Sequence, residues 1–295
     1  MKECVFKGCG TALVTPFTKD NRVDFDALSK LIDFQLEGSA DAIIIFGTTG
    51  EASTLTDDEK LEIAKFTLEC VKGKVPVIAG AGSNNTRRGI ELGFMLESVG
   101  VDALLHVTPY YNKTNEEGLI RHFRAVAEAV NLPVILYNVP SRTGMNLLPE
   151  TCGELSKVPN IVAIKEAGGD VRTVSAIHKC AGDDFTVYSG NDDVILPTLA
   201  CGGMGVISVL SNLLPGMVST LCKSFFIGEL EVSRMLQQKY AKLISLLFSE
   251  TNPIPVKYAL SLMGICNETT RLPLWNMSDV NKEKLRNEME KLHII

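Results

Sequence analysis

Eight short runs of apolar residues, many of them β-branched, recur along the chain. Each run is continuous rather than alternating, which is typical of parallel strands covered on both faces. The runs begin 20 to 32 residues apart, so one crossover helix fits between each pair. We predict strands at residues 11–14, 43–46, 75–79, 103–107, 134–137, 161–164, 185–188 and 205–209.

Helix signals fill the segments between these runs. Thr56 followed three residues later by Glu59 is typical of a capping box, in which each side chain accepts the other residue's backbone N–H. Thr114 and Glu117 repeat the pattern, and Asp24 is a predicted N-cap. The sequence therefore predicts strand and helix alternating eight times.

This repetition favours an α/β fold of the (β/α)8 TIM-barrel type over a doubly wound sheet, which usually has fewer strands in a comparable length. After the eighth run no comparable strand pattern follows, and helical patterns cover residues 232–248 and 256–263. We predict a catalytic barrel over residues 1–222 and a small all-helical C-terminal domain over residues 223–295.

The composition narrows the class of protein. The chain has 295 residues, of which 45% are hydrophobic and 22% charged, as in soluble globular proteins. Its 29 basic and 35 acidic residues give a net charge of −6, which argues against a nucleic-acid or anionic-membrane partner. No apolar run approaches the ~20 residues that span a bilayer, and the N-terminus lacks a signal-peptide core, so we predict a cytoplasmic protein.

Metal and disulfide chemistry are not expected. The eight cysteines include no C-x-x-C pair, and none has a histidine at zinc-finger spacing. The four histidines fall in a predicted strand, in predicted helices and near the terminus, which suggests neither a metal site nor a catalytic triad. We predict no metal and assign no chemistry to the cysteines.

In a barrel of this type the active site lies at the carboxyl ends of the strands. Lys165 closes the sixth apolar run, and read alone it is a solvated lysine at a strand end. However, Thr48, Thr49, Tyr137 and Arg142 are predicted to converge on the same face. An amine between apolar walls loses the solvation of its charged form, so the neutral nucleophile becomes available for Schiff-base formation with a carbonyl substrate.

Two glycine-containing turns follow strands at this end. The turn 47–51 is either a structural glycine turn or a nest of backbone N–H groups that holds an anion. It lacks the Lys-Ser/Thr of a nucleotide-binding loop, so a substrate carboxylate fits better. Gly80 and Gly82 partly match a dinucleotide fingerprint, but Asn85 stands where the third glycine belongs, and we interpret them as barrel-turn geometry.

The rim residues each have two interpretations. Tyr110, Tyr111 and Tyr137 either pack at the rim or relay protons, and Arg142 is either a surface residue or a bidentate ligand of a second carboxylate. Proximity to a lysine nucleophile favours the functional interpretation.

A series of ordered motifs makes the chain resemble the dihydrodipicolinate synthase family over essentially its whole length. The motifs are Gly-Thr-Thr-Gly-Glu at 47–51, Thr-Pro-Tyr-Tyr-Asn at 108–112, Tyr-Asn-Val-Pro-Ser-Arg-Thr-Gly at 137–144, Ile-Lys-Glu at 164–166, Gly-Asn-Asp at 190–192, Gly-Val-Ile-Ser at 205–208 and Asn-Pro-Ile-Pro-Val-Lys at 252–257.

The resemblance implies a class I aldolase-like condensation of pyruvate with L-aspartate 4-semialdehyde, the entry step of lysine and diaminopimelate synthesis. Lys165 would form the Schiff base with pyruvate, and Tyr137 would be the general acid and base. Thr48 would link Tyr137 to Tyr111, contributed by a neighbouring subunit, in a proton relay. No metal or organic cofactor would be needed, because the lysine itself supplies the electron sink.

The same resemblance implies the binding residues and the assembly. The backbone of Thr48 and Thr49 would hold the pyruvate carboxylate, Gly190 and Ile207 would line the pocket, and Arg142 would bind the semialdehyde carboxylate. Because Tyr111 would act in a neighbouring subunit, we expect at least a dimer and, by resemblance, a homotetramer built as a dimer of dimers.

Two alternative functions are compatible with part of this pattern. N-acetylneuraminate lyase and other pyruvate-dependent aldolases share the barrel, the lysine and the tyrosine. Arg142 argues against them, because the sialate lyase pattern lacks an arginine in this turn and accommodates a long polyol instead. A barrel retained as a binding protein would have lost Lys165 or Tyr137, and both are present.

The resemblance also implies a possible allosteric pocket, since many bacterial relatives are inhibited by lysine at a dimer interface. Lysine-sensitive members carry a glutamate where this chain has Arg88, and a cation there would repel the ammonium of the effector. We therefore expect weak or absent feedback by lysine. The corresponding positions are Ala52, Ser53, Asp57, Lys60, Asn84, Arg88 and Tyr110.

Overall fold

The predicted (β/α)8 barrel is confirmed by a computed structural model, which describes residues 2 and 4–295. Within that part of the chain, eight parallel strands close into a barrel in sequence order, each paired with its chain neighbours and the last with the first. The strands are β1 (Gly8–Ala12), β2 (Ala42–Ile45), β3 (Val77–Gly80), β4 (Ala103–Val107), β5 (Val134–Asn138), β6 (Ile161–Glu166), β7 (Thr186–Ser189) and β8 (Gly205–Ser208).

In the described residues, helices lie between successive strands, and five more helices follow β8. They are α1 (Phe25–Glu37), α2 (Asp57–Val71), α3 (Thr86–Val99), α4 (Glu116–Glu128), α5 (Pro140–Thr143), α6 (Pro149–Leu155), α7 (Arg172–Ala181), α8 (Ile195–Ala200), α9 (Pro215–Phe226), α10 (Leu230–Lys239), α11 (Ala241–Leu247), α12 (Ile254–Leu262) and α13 (Asp279–Lys291). No helix in the described residues is long and apolar enough to cross a membrane.

The first strand lies earlier than the predicted 11–14. Strand β1 begins at Gly8, and Gly8 to Thr11 pair with Gly205 to Ser208 of β8. A Cβ at Gly205 would lie 2.2 Å from the carbonyl oxygen of Gly8, so the two strands approach more closely than a side chain permits. Glycine has low strand propensity, which is why the pattern of apolar residues missed this start.

Capping residues fix the ends of the first helices. The Asp24 side chain accepts the N–H of Ala27, and Thr56 and Glu59 form the predicted capping box. At α4 the prediction is wrong by one residue, because Asn115 rather than Thr114 is the N-cap, and its side chain accepts the N–H of Gly118. Asparagine caps at least as well as threonine, since its amide oxygen reaches the same orphan donors.

Two hydrophobic layers hold the barrel together. One lies between the strands and the surrounding helices. The other fills the barrel interior and includes Ile135, Tyr137, Ala163 and Ile207. Because side chains alternate across a strand, the residue two positions after Ala163 also faces the interior. That residue is Lys165.

The helices after β8 pack on one another and reach the carboxyl ends of the strands. Helices α11 and α12 each pack on α13, and α12 also contacts the turn that follows β8. Helix α9 (Pro215–Phe226) crosses the predicted domain boundary after residue 222 and packs against β1. We propose that the C-terminal unit begins after the turn at 227–229, so that α9 is the eighth helix of the barrel.

Candidate active site

Lys165 and Tyr137 are neighbours across two adjacent strands. They are register partners in the β5–β6 pair, so both side chains leave the sheet on its interior face. The Lys165 Nζ lies 4.4 Å from the centroid of the Tyr137 ring. The ring and the amine therefore sit together at the carboxyl end of the barrel, as the sequence predicts.

Lys165 is a buried amine without a counter-charge in contact. It is 5% exposed, and it forms neither a hydrogen bond nor an ion pair with any described residue. Gly190 borders it, since a Cβ at that position would lie 3.1 Å from the Lys165 Cε and 2.5 Å from the Ala167 Cβ. Glycine at position 190 therefore leaves space beside the Lys165 side chain that a larger residue would fill.

The turn after β2 presents backbone donors. Gly50 N–H donates to the Gly47 carbonyl at 3.1 Å, and Glu51 N–H donates to the Thr48 carbonyl at 3.2 Å. Within the described residues, the N–H groups of Thr48 and Thr49 have no acceptor. Successive free N–H groups in a tight turn form an anion-binding nest, and a carboxylate is the anion that the turn chemistry favours.

Arg142 lies on the short helix α5, whose first residue is Pro140. Its side chain is exposed, and the Nη2 atom donates to the Asn252 carbonyl at 3.3 Å. Proline at the start of the helix fixes the backbone there. This hydrogen bond holds the Arg142 guanidinium at the mouth of the barrel, and its remaining N–H groups can donate to a carboxylate.

One cavity of about 460 Å³ joins most of the predicted residues. Thr48, Tyr137 and Arg142 line it. So do the predicted allosteric positions Ala52, Ser53, Asp57, Lys60, Arg88 and Tyr110, whereas Lys165 is not among its lining residues. Asn84 is not among the lining residues, and its carbonyl accepts a hydrogen bond from Asn112 at 2.8 Å.

Two cations and one carboxylate of the predicted allosteric positions line this cavity. Arg88 forms an ion pair with Asp57, which is the only carboxylate among the described lining residues. Lys60 is 8% exposed and has no hydrogen-bond or ion-pair partner among the described residues. Burial lowers the pKa of Lys60, and the nearby Asp57 opposes that shift.

Tyr111 points away from the rest of the site in this single chain. Its side chain is 94% exposed, and its backbone is left-handed with φ of 70°. Within the described residues, no hydrogen bond joins the Thr48, Tyr111 and Tyr137 hydroxyls. Ile207 lies in the interior cluster beside Tyr137.

Three functional neighbours escaped sequence reasoning. Asn252 donates from Nδ2 to the Thr49 Oγ1 at 2.9 Å. Asp192 is fully buried, and its carboxylate accepts hydrogen bonds from the Ser208 Oγ at 2.5 Å and from two backbone N–H groups. Burial raises the pKa of Asp192, and the nearby Lys165 opposes that shift more weakly. Lys257 pairs with Glu51 beneath the anion-binding turn. All three residues lie in sequence motifs that resemble the dihydrodipicolinate synthase family. This resemblance is the signal by which the sequence could have indicated them.

The side chains of the described residues offer no cluster of three or more His, Cys, Asp or Glu suited to a metal ion. The chemistry of the site therefore has to be argued from its amine, hydroxyl, guanidinium and backbone groups.

Comparison with known proteins decides the family. The model of the dihydrodipicolinate synthetase family matches residues 5–292. The chain belongs to this family. A protein of Alkaliphilus oremlandii (strain OhILAs) named 4-hydroxy-tetrahydrodipicolinate synthase is 50% identical over 291 residues, which cover 99% of this chain and 100% of that protein.

Solved structures of family members share the whole fold. The dihydrodipicolinate synthase of Thermotoga maritima has a TM-score of 0.97 at 43% identity, and the match covers 99% of this chain and 100% of that one. The chloride-inhibited enzyme of Acinetobacter baumannii, solved in complex with pyruvate, has a TM-score of 0.96 at 42% identity, covering 98% and 99%. This family member is thus an enzyme with the synthase activity of its relatives.

Proposed function

We propose that the chain condenses pyruvate with L-aspartate 4-semialdehyde through a Schiff base on Lys165. The observation that carries this proposal is a 5% exposed amine with no ion-pair partner among the described residues, beside the Tyr137 ring, in a barrel whose turn after β2 has free N–H groups. An amine that no carboxylate engages is available as the nucleophile that Schiff-base formation with a carbonyl substrate requires. The named synthases among its relatives support the choice of substrates.

The first half-reaction forms the carbon nucleophile. The Lys165 Nζ adds as the free amine to the pyruvate carbonyl, and loss of water together with uptake of one proton from the Tyr137 hydroxyl leaves a protonated imine with the positive charge next to the methyl carbon. Removal of a methyl proton then gives an enamine. The N–H groups of Thr48 and Thr49 hold the pyruvate carboxylate, and the Tyr137 hydroxyl gives and takes the protons, because its ring contacts the amine.

The second half-reaction forms the carbon–carbon bond. The enamine carbon attacks the aldehyde carbon of the semialdehyde, and the aldehyde oxygen takes a proton from the Tyr137 hydroxyl. The product is then held on Lys165 as an imine, and attack of the semialdehyde's own amino group on the imine carbon closes a ring and displaces the Lys165 amine. Arg142 lines the same cavity as Tyr137 and holds the semialdehyde carboxylate. An arginine at this position supports a short dicarboxylic product over the polyol of a sialate lyase.

The first experiment traps the Schiff base. Borohydride reduction in the presence of pyruvate, read by intact mass, is expected to add one pyruvate to the wild type and none to Lys165→Ala. An adduct on neither protein would contradict the mechanism. An adduct on the wild type with turnover of N-acetylneuraminate but not of the semialdehyde would instead establish the alternative function.

We also propose that Tyr111 completes the relay in a neighbouring subunit. Its 94% exposed ring has no role within one chain, and the Tyr137 hydroxyl has no hydroxyl partner among the described residues. The assembly is proposed as a dimer of dimers in the cytoplasm. Sedimentation at the assay concentration tests the assembly, and a fully active monomer would contradict it.

We further propose weak or absent inhibition by lysine. A lysine effector needs a carboxylate for its ammonium, and Asp57 is already paired with Arg88 in a cavity that Lys60 also lines. If lysine binds with a dissociation constant of ~1 mM, which corresponds to about 4 kcal/mol, less than roughly a tenth of the sites are occupied at ~0.1 mM L-lysine, and turnover there should be nearly unchanged. Strong inhibition at that concentration would contradict the proposal.

A further inference from the structure

The turn that carries Thr48 and Thr49 ends in a residue whose backbone needs outside support. Glu51 has φ of 52° and ψ of 38°, in the left-handed region that side-chain-bearing residues seldom adopt. The turn's own hydrogen bonds, from Gly50 and Glu51, are both longer than 3.0 Å. Something beyond the turn therefore holds it in this conformation.

The support comes from the C-terminal helices through the Glu51 carboxylate. Oε1 of Glu51 is bonded to the Lys257 ammonium on α12, and both side chains are almost completely buried. Oε2 accepts the backbone N–H of Arg271 at 3.0 Å, and Lys257 also donates to the Thr269 carbonyl at 2.9 Å. Both carboxylate oxygens thus bind the same C-terminal segment.

The cations of this segment are themselves held in place. The Lys257 Nζ lies 4.1 Å and the Arg271 guanidinium carbon 4.3 Å from the Phe17 ring centroid. The Arg271 guanidinium also bonds Glu59 of the α2 capping box, with Nη1 2.8 Å from Oε2. The segment is therefore fixed against the barrel on both sides of the turn.

A second contact reaches the turn two residues before its end. Asn252, just before α12, donates from Nδ2 to the Thr49 Oγ1 at 2.9 Å, and both groups are buried. Thr15 donates to the Gly50 carbonyl at 2.7 Å from the other side. The segment that carries the free N–H groups of Thr48 and Thr49 is therefore held by hydrogen bonds from Asn252 and from Thr15.

We propose that Lys257, through its buried ion pair with Glu51, is a positioning residue that holds the Thr48–Thr49 N–H groups in register with the substrate carboxylate. This inference rests on the proposed function. The pair touches neither the substrate nor Lys165, so its contribution is geometric: a displaced turn binds the carboxylate more weakly while the amine and Tyr137 stay in place.

The test compares steady-state kinetics of full-length Lys257→Met and Lys257→Gln with the wild type, far below the melting temperature of each. We expect KM for pyruvate to rise at least tenfold in Lys257→Met, with kcat changed less than threefold. Lys257→Gln keeps a donor for Glu51 without the charge, and its KM should lie in between.

Lys242→Met is the matched control. It removes another ion pair of the C-terminal helices, between the exposed Lys242 and the buried Glu288, 2.7 Å apart. It should lower the melting temperature and leave KM for pyruvate within twofold, because Glu288 has no contact with the turn. A purely structural role of Lys257 predicts the same behaviour for both lysines.

The outcomes separate this inference from the proposed function. If Lys257→Met and Lys257→Gln both keep the wild-type KM for pyruvate, the positioning role is overturned while the Schiff base stands. If Lys257→Met does not fold, Lys257→Gln alone is compared with the wild type: an unchanged KM for pyruvate overturns the positioning role, and a raised KM supports it. If the wild type itself forms no pyruvate adduct after borohydride reduction, the proposed function fails first.

Discussion

Two buried lysines of this barrel differ in one respect that decides their chemistry. Lys165 at the end of β6 and Lys257 on α12 are 5% and 0% exposed, and each Nζ lies near an aromatic ring, 4.4 Å and 4.1 Å from its centroid. Lys257 faces the Glu51 carboxylate, whereas Lys165 has no such partner among the described residues. Burial is common to both regions, so pairing distinguishes a structural lysine from a nucleophilic one.

The largest expected effect is on stability. Lys257→Met should lower the free energy of unfolding by about 3–5 kcal/mol, because it leaves the Glu51 carboxylate buried without its partner. Lys165→Met should cost less than about 1 kcal/mol or stabilise the protein, because it removes an unpaired buried amine. Urea unfolding of both variants, followed by circular dichroism, measures the difference.

The double variant Glu51→Gln/Lys257→Met is the control for this comparison. It removes both charges, so it should recover part of the loss seen in Lys257→Met. If Lys165→Met and Lys257→Met lowered the free energy of unfolding equally, the distinction between an unpaired and a paired buried lysine would be contradicted.

The next effect concerns Asn252, which links the C-terminal segment to the barrel. Its carbonyl accepts a hydrogen bond from Arg142, and its side-chain amide donates one to Thr49. Arg142→Ala should raise KM for the semialdehyde by roughly 10–100-fold, about 1.4–2.7 kcal/mol, because a charged hydrogen-bonding partner of a carboxylate is lost. Trapping of pyruvate on Lys165 should persist.

Arg121→Ala serves as the control here, because Arg121 is an exposed residue that pairs only with Glu117 one turn away. If Arg142→Ala abolished pyruvate trapping as well, Arg142 would belong to the first half-reaction instead of the second.

A smaller effect concerns a buried base outside both regions. Burial lowers the pKa of His106 to about 3 from its ordinary 6.5, with a lesser contribution from His122. Between these values the unfolded chain binds one more proton than the native one, so stability falls as the pH drops below 6.5. From pH 7.5 to pH 5.5 the loss from this group should be about 1.4 kcal/mol.

His106→Leu isolates that contribution. The measured quantity is the difference in unfolding free energy between pH 7.5 and pH 5.5, which should be about 1.4 kcal/mol smaller in the variant than in the wild type. An identical difference in both proteins would show that His106 titrates normally or is solvated.

The smallest effect tests a third lysine. Lys60 resembles Lys165 in being buried and unpaired among the described residues, and burial lowers its pKa. Lys60→Met should therefore leave the protein as stable as the wild type or stabilise it by about 0.5 kcal/mol. Thermal unfolding checks this, and a loss comparable to that of Lys257→Met would mean that an unseen counter-charge pairs with Lys60.

The sequence predicted the barrel and the reacting groups better than the groups that support them. Strand β4 was predicted at its observed bounds, and Lys165 and Tyr137 were placed together, because residues at the ends of neighbouring parallel strands must converge. The C-terminal pattern at 232–248 was read as one helix, but the structure divides it at Tyr240 into α10 and α11.

The pairing of Glu51 with Lys257 was beyond sequence reasoning. No local periodicity relates two residues that belong to different elements, and a glutamate in a turn or a lysine in a helix is usually solvated. The same holds for Arg88, whose charge is visible in the sequence but whose ion pair with Asp57 is not. The sequence indicates where individual residues lie along strands and helices. Contacts between elements that are far apart in the sequence can be identified only from the folded structure.

The separation of Glu51 and Lys257 has a consequence for synthesis on the ribosome. The two residues lie 206 positions apart. At a translation rate of roughly 5–20 residues per second, the turn after β2 waits about 10 to 40 s for the lysine that supports it. A nascent chain carrying all eight strands still lacks α12, so a barrel that has already closed gains its finished carboxylate-binding turn only when the last fifth of the polypeptide emerges.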